Sequence, residues 1–253
     1  MSPSSPWLVR RPGPPRSIRL YCFAYAGGHA GVFVSWQAAL EPDVEVCSVQ
    51  LPGRGSRIRE PAITSMPQIV EHIADAIAQQ GNETPFAFFG HSLGALLAFE
   101  VACHLQQRGL PAPMHLFVSG CEAPTHRGRA RALHLLSDAQ LLEEVRNFNG
   151  TPPEALASSE LMALVLPMLR ADFALAMEYT YRPGPPLAMP LTVLAGTQDR
   201  NGCWDQVDHW AAQTRERCRV QWFNGDHFFI NSQQRAVLDC VRDELRGLRL
   251  ELA

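Results

Sequence analysis

Apolar runs of four to eight residues recur at positions 18–23, 44–51, 86–89, 116–119, 191–195 and 220–223, and the stretches between them are long enough for helices. Short runs separated by helices predict parallel strands in βαβ units, and hence an open α/β sheet flanked by helices. In such a sheet the loops at the carboxyl ends of the strands carry the chemistry. Several connecting stretches have helical spacing; Ile69, Ile73, Ala76 and Ile77 fall on one face. At 253 residues and 46% hydrophobic, the chain can bury the core of one domain, or of one domain with an insertion.

The rhythm stops between Glu122 and Pro190, where no strand-like run occurs and helix signals crowd together. Ser137-Asp138-Ala139-Gln140 reads as a capping box, and Thr151-Pro152-Pro153-Glu154 repeats it with proline at the first helical position. From Ser159 to Tyr181 the apolar residues cover more than one helical face, with a kink expected at Pro167. The division expected is a flexible leader over 1–17, a core made of 18–121 and 187–253, and an inserted helical lid over 122–186.

Gly90-His91-Ser92-Leu93-Gly94 sits between the run 86–89 and a helix-like segment, 95–107, that closes on Arg108-Gly109. The spelling G-x-S-x-G is weak alone, but a strand before it and a helix after it make it a nucleophile elbow. A side chain pushed out on so tight a turn needs small residues two before and two after it, which Gly90 and Gly94 are. The amino end of the following helix then faces Ser92 with free N–H groups and a positive end.

A serine hydroxyl is a weak nucleophile until a histidine takes its proton and an acid orients that histidine. The run 191–195 ends in Gly196-Thr197-Gln198-Asp199, and 220–223 ends in Asn224-Gly225-Asp226-His227. Asp199 and His227 therefore sit on strand-end loops, and the order Ser92, Asp199, His227 is that of α/β-hydrolases. Glu122, after the run 116–119, is the rival acid. Of the other eight histidines, His91 is locked in the elbow beside the serine and points elsewhere, and the remaining seven fall on helices or loops without the strand-end position; Asp226, adjacent to His227, is a weak orienter. For the oxyanion hole, the backbone N–H of Leu93 and that of Ala26, in the glycine-rich loop after the first run, are the candidates.

Composition excludes other classes. With 22 basic and 25 acidic residues the formal charge is −3, which gives no electrostatic case for nucleic acid or an acidic membrane surface. The amino terminus lacks the apolar core of a secretory signal, and no run is long enough to cross a bilayer. Seven scattered cysteines without a C-x-x-C pair suit reduced thiols in a cytoplasm. No metal site and no cofactor are expected. Asn82-Glu83-Thr84 spells a glycosylation sequon that reads as a plain loop.

Phe23-Ala24-Tyr25-Ala26-Gly27-Gly28, Leu51-Pro52-Gly53-Arg54-Gly55-Ser56-Arg57, Gly90-His91-Ser92-Leu93-Gly94, Leu169-Arg170-Ala171-Asp172-Phe173, Gly196-Thr197-Gln198-Asp199 and Gly225-Asp226-His227-Phe228-Phe229 together resemble the type II thioesterases. These are the stand-alone α/β-hydrolases of nonribosomal-peptide and polyketide assembly. The likeness runs from about Arg19 to about Leu245, with one departure: Ala24 stands where that family's first motif usually has proline, which loosens the loop without removing an N–H donor. The resemblance implies hydrolysis of an acyl group held as a thioester on the phosphopantetheine arm of an acyl or peptidyl carrier protein, by a monomer whose helical insertion covers the acyl chamber. Arg54 and Arg57 read as solvated loop arginines, with carrier docking as the alternative. The residues by themselves support a serine acyl hydrolase; an esterase or lipase acting on oxygen esters, and a non-catalytic acyl-binding protein, are the other readings.

Overall fold

The computed structural model describes residues 5–81, 84–126, 132–148, 150, 153–199 and 204–252. The sequon Asn82-Glu83-Thr84 and the capping box at Thr151 and Pro152 lie outside the described residues in whole or in part. The seven strands are β1 (Leu8–Arg10), β2 (Ile18–Phe23), β3 (Val44–Val49), β4 (Phe86–His91), β5 (Leu116–Ser119), β6 (Leu191–Gly196) and β7 (Cys218–Phe223). They form one sheet in the order β1-β3-β2-β4-β5-β6-β7. Every pairing is parallel except that of β1 with β3.

Part of the leader expected over 1–17 is that antiparallel edge strand, with Leu8 opposite Val49 and Arg10 opposite Cys47. Three residues flanked by arginines and prolines carry no periodic signal, and tertiary contacts hold them. Trp7 is buried, stacks on His72 at 5.1 Å between ring centroids, and lies under the Arg57 guanidinium at 4.2 Å.

Helices α1 (Trp36–Leu40), α2 (Met66–Ala78), α3 (Leu93–Gln107), α4 (Asp138–Asn147), α5 (Pro153–Ala157), α6 (Ser159–Met177), α7 (Phe229–Ser232) and α8 (Gln234–Leu252) complete the described fold, with short 3₁₀ turns and one longer 3₁₀ segment, Trp204–Gln213, between. Strand alternation sorts the core onto two faces. Tyr21, Phe23 and Phe88 join α2 and α3 on one face, while Leu20, Cys22, Ala87 and Phe89 join α1 and α8 on the other. Burying two faces of a sheet is what makes strands read as continuous apolar runs.

Strand order reverses between β2 and β4: the chain steps outward from β2 to β3, then returns to the far side of β2. The crevice beyond the carboxyl ends of β2 and β4 is thus the topological switch point, where open α/β sheets bind ligands. Phe23 pairs with Gly90 there, so the loop after β2 and the elbow after β4 start side by side.

Between β5 and β6 the chain leaves the sheet for α4, α5 and α6. Ser137 Oγ accepts from Gln140 N–H and Gln140 Oε1 from Ser137 N–H, a complete capping box. Leu133, Leu141, Val145, Leu166, Leu169 and Phe173 make a third apolar cluster, and Leu175 and Ala176 at the far end of α6 belong to the sheet's own core. Helix α6 runs through Pro167, and one of its apolar residues, Leu164, is 63% exposed.

Inside the sheet, His115 is fully buried and hydrogen-bonds Thr192 Oγ1 through Nε2 at 2.9 Å. Burial pushes its pKa down to about 4. The unfolded chain therefore binds a proton that the folded protein refuses between pH 6.5 and 4, and stability falls as pH falls through that window. The loss is up to about 3 kcal/mol. Urea unfolding at pH 6.5 and 4 should show that His115→Leu lessens the acid loss of stability by up to about 3 kcal/mol; an unchanged loss contradicts the assignment.

Candidate active site

Ser92 ends β4 and opens α3 with φ 55° and ψ −118°. It is the single described non-glycine residue with positive φ. Such a conformation costs of order 1–3 kcal/mol and persists only where its surroundings enforce it. The enforcement is local. Ser92 N–H donates to the Ser119 carbonyl at 2.8 Å, and its own carbonyl accepts from Ala95 N–H at 3.0 Å, which starts the helix. A Cβ on Gly90 would sit 2.2 Å from the Gly94 carbonyl oxygen, and one on Gly94 would sit 2.1 Å from that of Phe23. Both glycines are needed for the elbow to close against β2.

At the ends of β6 and β7, Asp199 and His227 come together: His227 Nδ1–H donates to Asp199 Oδ2 at 2.8 Å, and both side chains are buried. Asp226 is turned to its own backbone, accepting from Phe228 N–H at 2.9 Å. Glu122 is half-buried at the end of β5. His91, fully buried, shares a 2.9 Å hydrogen bond with the Ser119 hydroxyl, and its ring lies 5.0 Å from that of His227. Burial first, then the neighbouring His227, holds the His91 pKa well below its ordinary value, so it packs as a neutral ring. Gly120, with φ +56°, leaves the space these two rings occupy.

Ser92 and His227 line one pocket of about 320 Å³. Tyr25, Ala26 and Gly27 from the loop after β2 form one wall; Val145, Phe148, Met162, Val165, Leu169 and Phe173 from the insertion form the roof; Phe228 closes the side. The lining is mostly apolar around the Ser92 hydroxyl and the His227 imidazole, with Tyr25 and His29 as further polar side chains, a setting for an acyl chain with its reacting carbonyl at Ser92. Among the described residues, the N–H groups of Leu93 and Ala26 have no hydrogen-bond partner. Leu93 N–H is an orphan donor of the α3 amino end. No group of three potential metal ligands exists among the described residues, and no described helix is long and apolar enough to cross a membrane.

Arg54 and Arg57 are not solvated, being 5% and 8% exposed. Arg57 grips Glu60 with Nε and Nη2 and donates to the Gln50 carbonyl at 3.0 Å. Arg54 pairs through both Nη atoms with Asp172, which is fully buried on α6 and also accepts from Gly27 N–H at 2.7 Å. Asp172 stands among Leu169, Ala171 and Phe173 but also near Arg170, so no local pattern singles out the distant Arg54 as its partner.

A thioesterase-domain family model matches residues 18–245. The gramicidin S biosynthesis protein GrsT of Aneurinibacillus migulanus is 40% identical over 229 residues, 90% of this chain and 89% of that protein. Among solved structures, the RedJ thioesterase of the prodiginine pathway in Streptomyces coelicolor superposes with a TM-score of 0.86 at 39% identity, covering 93% of this chain and 90% of the other. The type II thioesterase BorB of the borrelidin biosynthetic cluster gives 0.88 at 32% identity, covering 97% and 100%.

The clearance at the elbow is testable by stability alone. Gly94→Ala drives a Cβ into backbone that cannot yield without parting β2 from β4, and should cost more than about 3 kcal/mol in urea unfolding. Gly247→Ala, in α8 with open space around it, should be neutral or stabilising by up to about 1 kcal/mol. Equal effects at the two positions contradict the close approach.

Proposed function

The chain belongs to the thioesterase family, with the fold of its α/β-hydrolase relatives, and from this we propose that Ser92, His227 and Asp199 form its catalytic triad. The substrate proposed is an acyl group held as a thioester on the phosphopantetheine arm of a carrier protein. Its release clears stalled or mis-primed carriers in nonribosomal-peptide or polyketide biosynthesis. The observation that carries this reading is that Ser92 and the Asp199-bound His227 open onto the same apolar pocket.

His227 Nε2 takes the Ser92 proton as Oγ attacks the thioester carbonyl. The carbonyl oxygen becomes an oxyanion that the N–H groups of Leu93 and Ala26 hold. The carbon–sulfur bond then breaks, and the imidazolium gives its proton to the departing thiolate. Water, deprotonated by the same His227, attacks the acyl-Ser92 ester; the acid leaves and Ser92 regains its proton. Asp199 keeps Nδ1 protonated, so that Nε2 is the basic nitrogen throughout. Nucleophile, base and oxyanion donors all come from the chain, so the reaction as written needs no cofactor. The acyl group lies beneath α4 and α6. The same reading gives a monomer working in the cytoplasm, with the carrier protein as its transient partner.

The test is intact-mass spectrometry of an acetylated phosphopantetheinyl carrier protein incubated with the enzyme. Deacetylation is expected with the wild type, lowered about 10⁴- to 10⁶-fold by Ser92→Ala. Asp199→Asn should cost about 10²- to 10⁴-fold and Glu122→Gln less than about threefold. The reverse order for these two moves the acid to Glu122. An untouched carrier beside rapid cleavage of a short oxygen ester favours a free esterase, and silence on both substrates a non-catalytic role.

A further inference from the structure

The loop after β2 is shaped as a turn from Tyr25 to Gly28, closed by Gly28 N–H donating to the Tyr25 carbonyl at 2.8 Å, with Gly27 at φ +82°. That is a type II turn, which differs from type I by a flip of its middle peptide, the one whose N–H belongs to Gly27. Asp172 Oδ2 accepts this N–H at 2.7 Å. The same oxygen takes Arg54 Nη1 at 2.6 Å while Oδ1 takes Nη2 at 2.7 Å, and Nη1 reaches on to the Gly28 carbonyl at 3.3 Å. One buried ion pair thus holds the turn's middle peptide, through the Gly27 N–H, and the peptide that leaves the turn, through the Gly28 carbonyl. Leu169, one turn earlier on α6, packs so closely on Gly27 that a Cβ there would lie 2.7 Å from its Cδ2. Arg54 is itself anchored: its carbonyl accepts from Gln50 Nε2 at 3.1 Å, and Gln50 Oε1 accepts from Ala30 N–H at 3.0 Å.

A buried pair of this kind adds little net stability over apolar side chains of the same volume, so its consequence here is geometric. Ala24 leaves the loop without the stiffening a proline would give, and the clamp supplies it. We propose that Arg54 and Asp172 are positioning residues for the oxyanion loop: the pair fixes the Gly27 N–H, and with it the turn that aims the Ala26 N–H at the carbonyl of the bound thioester. Because Asp172 rides on α6, seating the insertion and completing the oxyanion hole are one event. The inference rests on the reading of Ala26 as an oxyanion donor.

Two neutral double variants isolate the point. Arg54→Met with Asp172→Leu removes both charges and the acceptor for Gly27 N–H; Arg54→Met with Asp172→Asn removes the charges and keeps an acceptor. The leucine variant should lose about 10²-fold in kcat on an acyl thioester with KM changed less than about threefold. Its affinity for an alkylboronic acid, which forms a tetrahedral adduct on Ser92, should fall in parallel, while that for a non-hydrolysable thioether analogue stays. The asparagine variant should stay within about tenfold of wild type in kcat. Equal losses in the two variants, an undiminished leucine variant, or boronate and thioether affinities falling together overturn the positioning role. Should the leucine variant not fold, the asparagine variant decides, since a loss of about 10²-fold there also overturns it. An inactive wild type, by contrast, refutes the thioesterase reading itself and takes this inference with it.

Discussion

The backbone of Gly94 lies so near the Phe23 carbonyl that one added carbon would come within 2.1 Å of its oxygen. That approach holds the start of α3 against the end of β2, and with it the strained Ser92 beside the loop carrying Ala26. Parallel pairing of β2 with β4 brings the two strand ends level, and the reversal of strand order at that place leaves the space above them free. The floor of the pocket therefore follows from sheet topology plus two glycines, and the insertion roofs it. The strain at Ser92 is met by hydrogen bonds to the neighbouring strand and the new helix.

Charge inside the protein is used sparingly and for geometry. Asp199 orients His227 from the next loop along the sheet edge, and Asp172 with Arg54 shapes the loop opposite. His91 and His115, by contrast, are buried neutral rings that fill space. The insertion holds its own apolar cluster, yet Leu169 and Asp172 touch the loop after β2 directly. Its helices are thus part of the site and not only a cover over it.

Much of this was legible in the sequence, because strands buried on both faces read as apolar runs and the elbow has steric rules of its own. The expected runs all became strands, with ends shifted by at most two residues, as at Cys218 and His91. Helix α3 begins two residues earlier than expected, since Leu93 already lies inside it. The placement of Asp199 and His227 on neighbouring strand-end loops was legible because strand ends and their order are visible in one dimension. What could not be read depends on contacts far apart in sequence. Strand β1 exists because Trp7 finds His72 and Arg57. Arg54 seemed a surface residue because its acid lies 118 positions away on a helix whose packing no local pattern reveals.

Attack by Ser92 is read most directly by rapid acid quenching of the enzyme during turnover of an acetyl thioester, followed by peptide mapping. One acetyl ester is expected, on the peptide containing Ser92, formed more slowly when His227 is replaced by alanine. Acetylation at another residue, or turnover in which water attacks the thioester with no covalent intermediate, would contradict it.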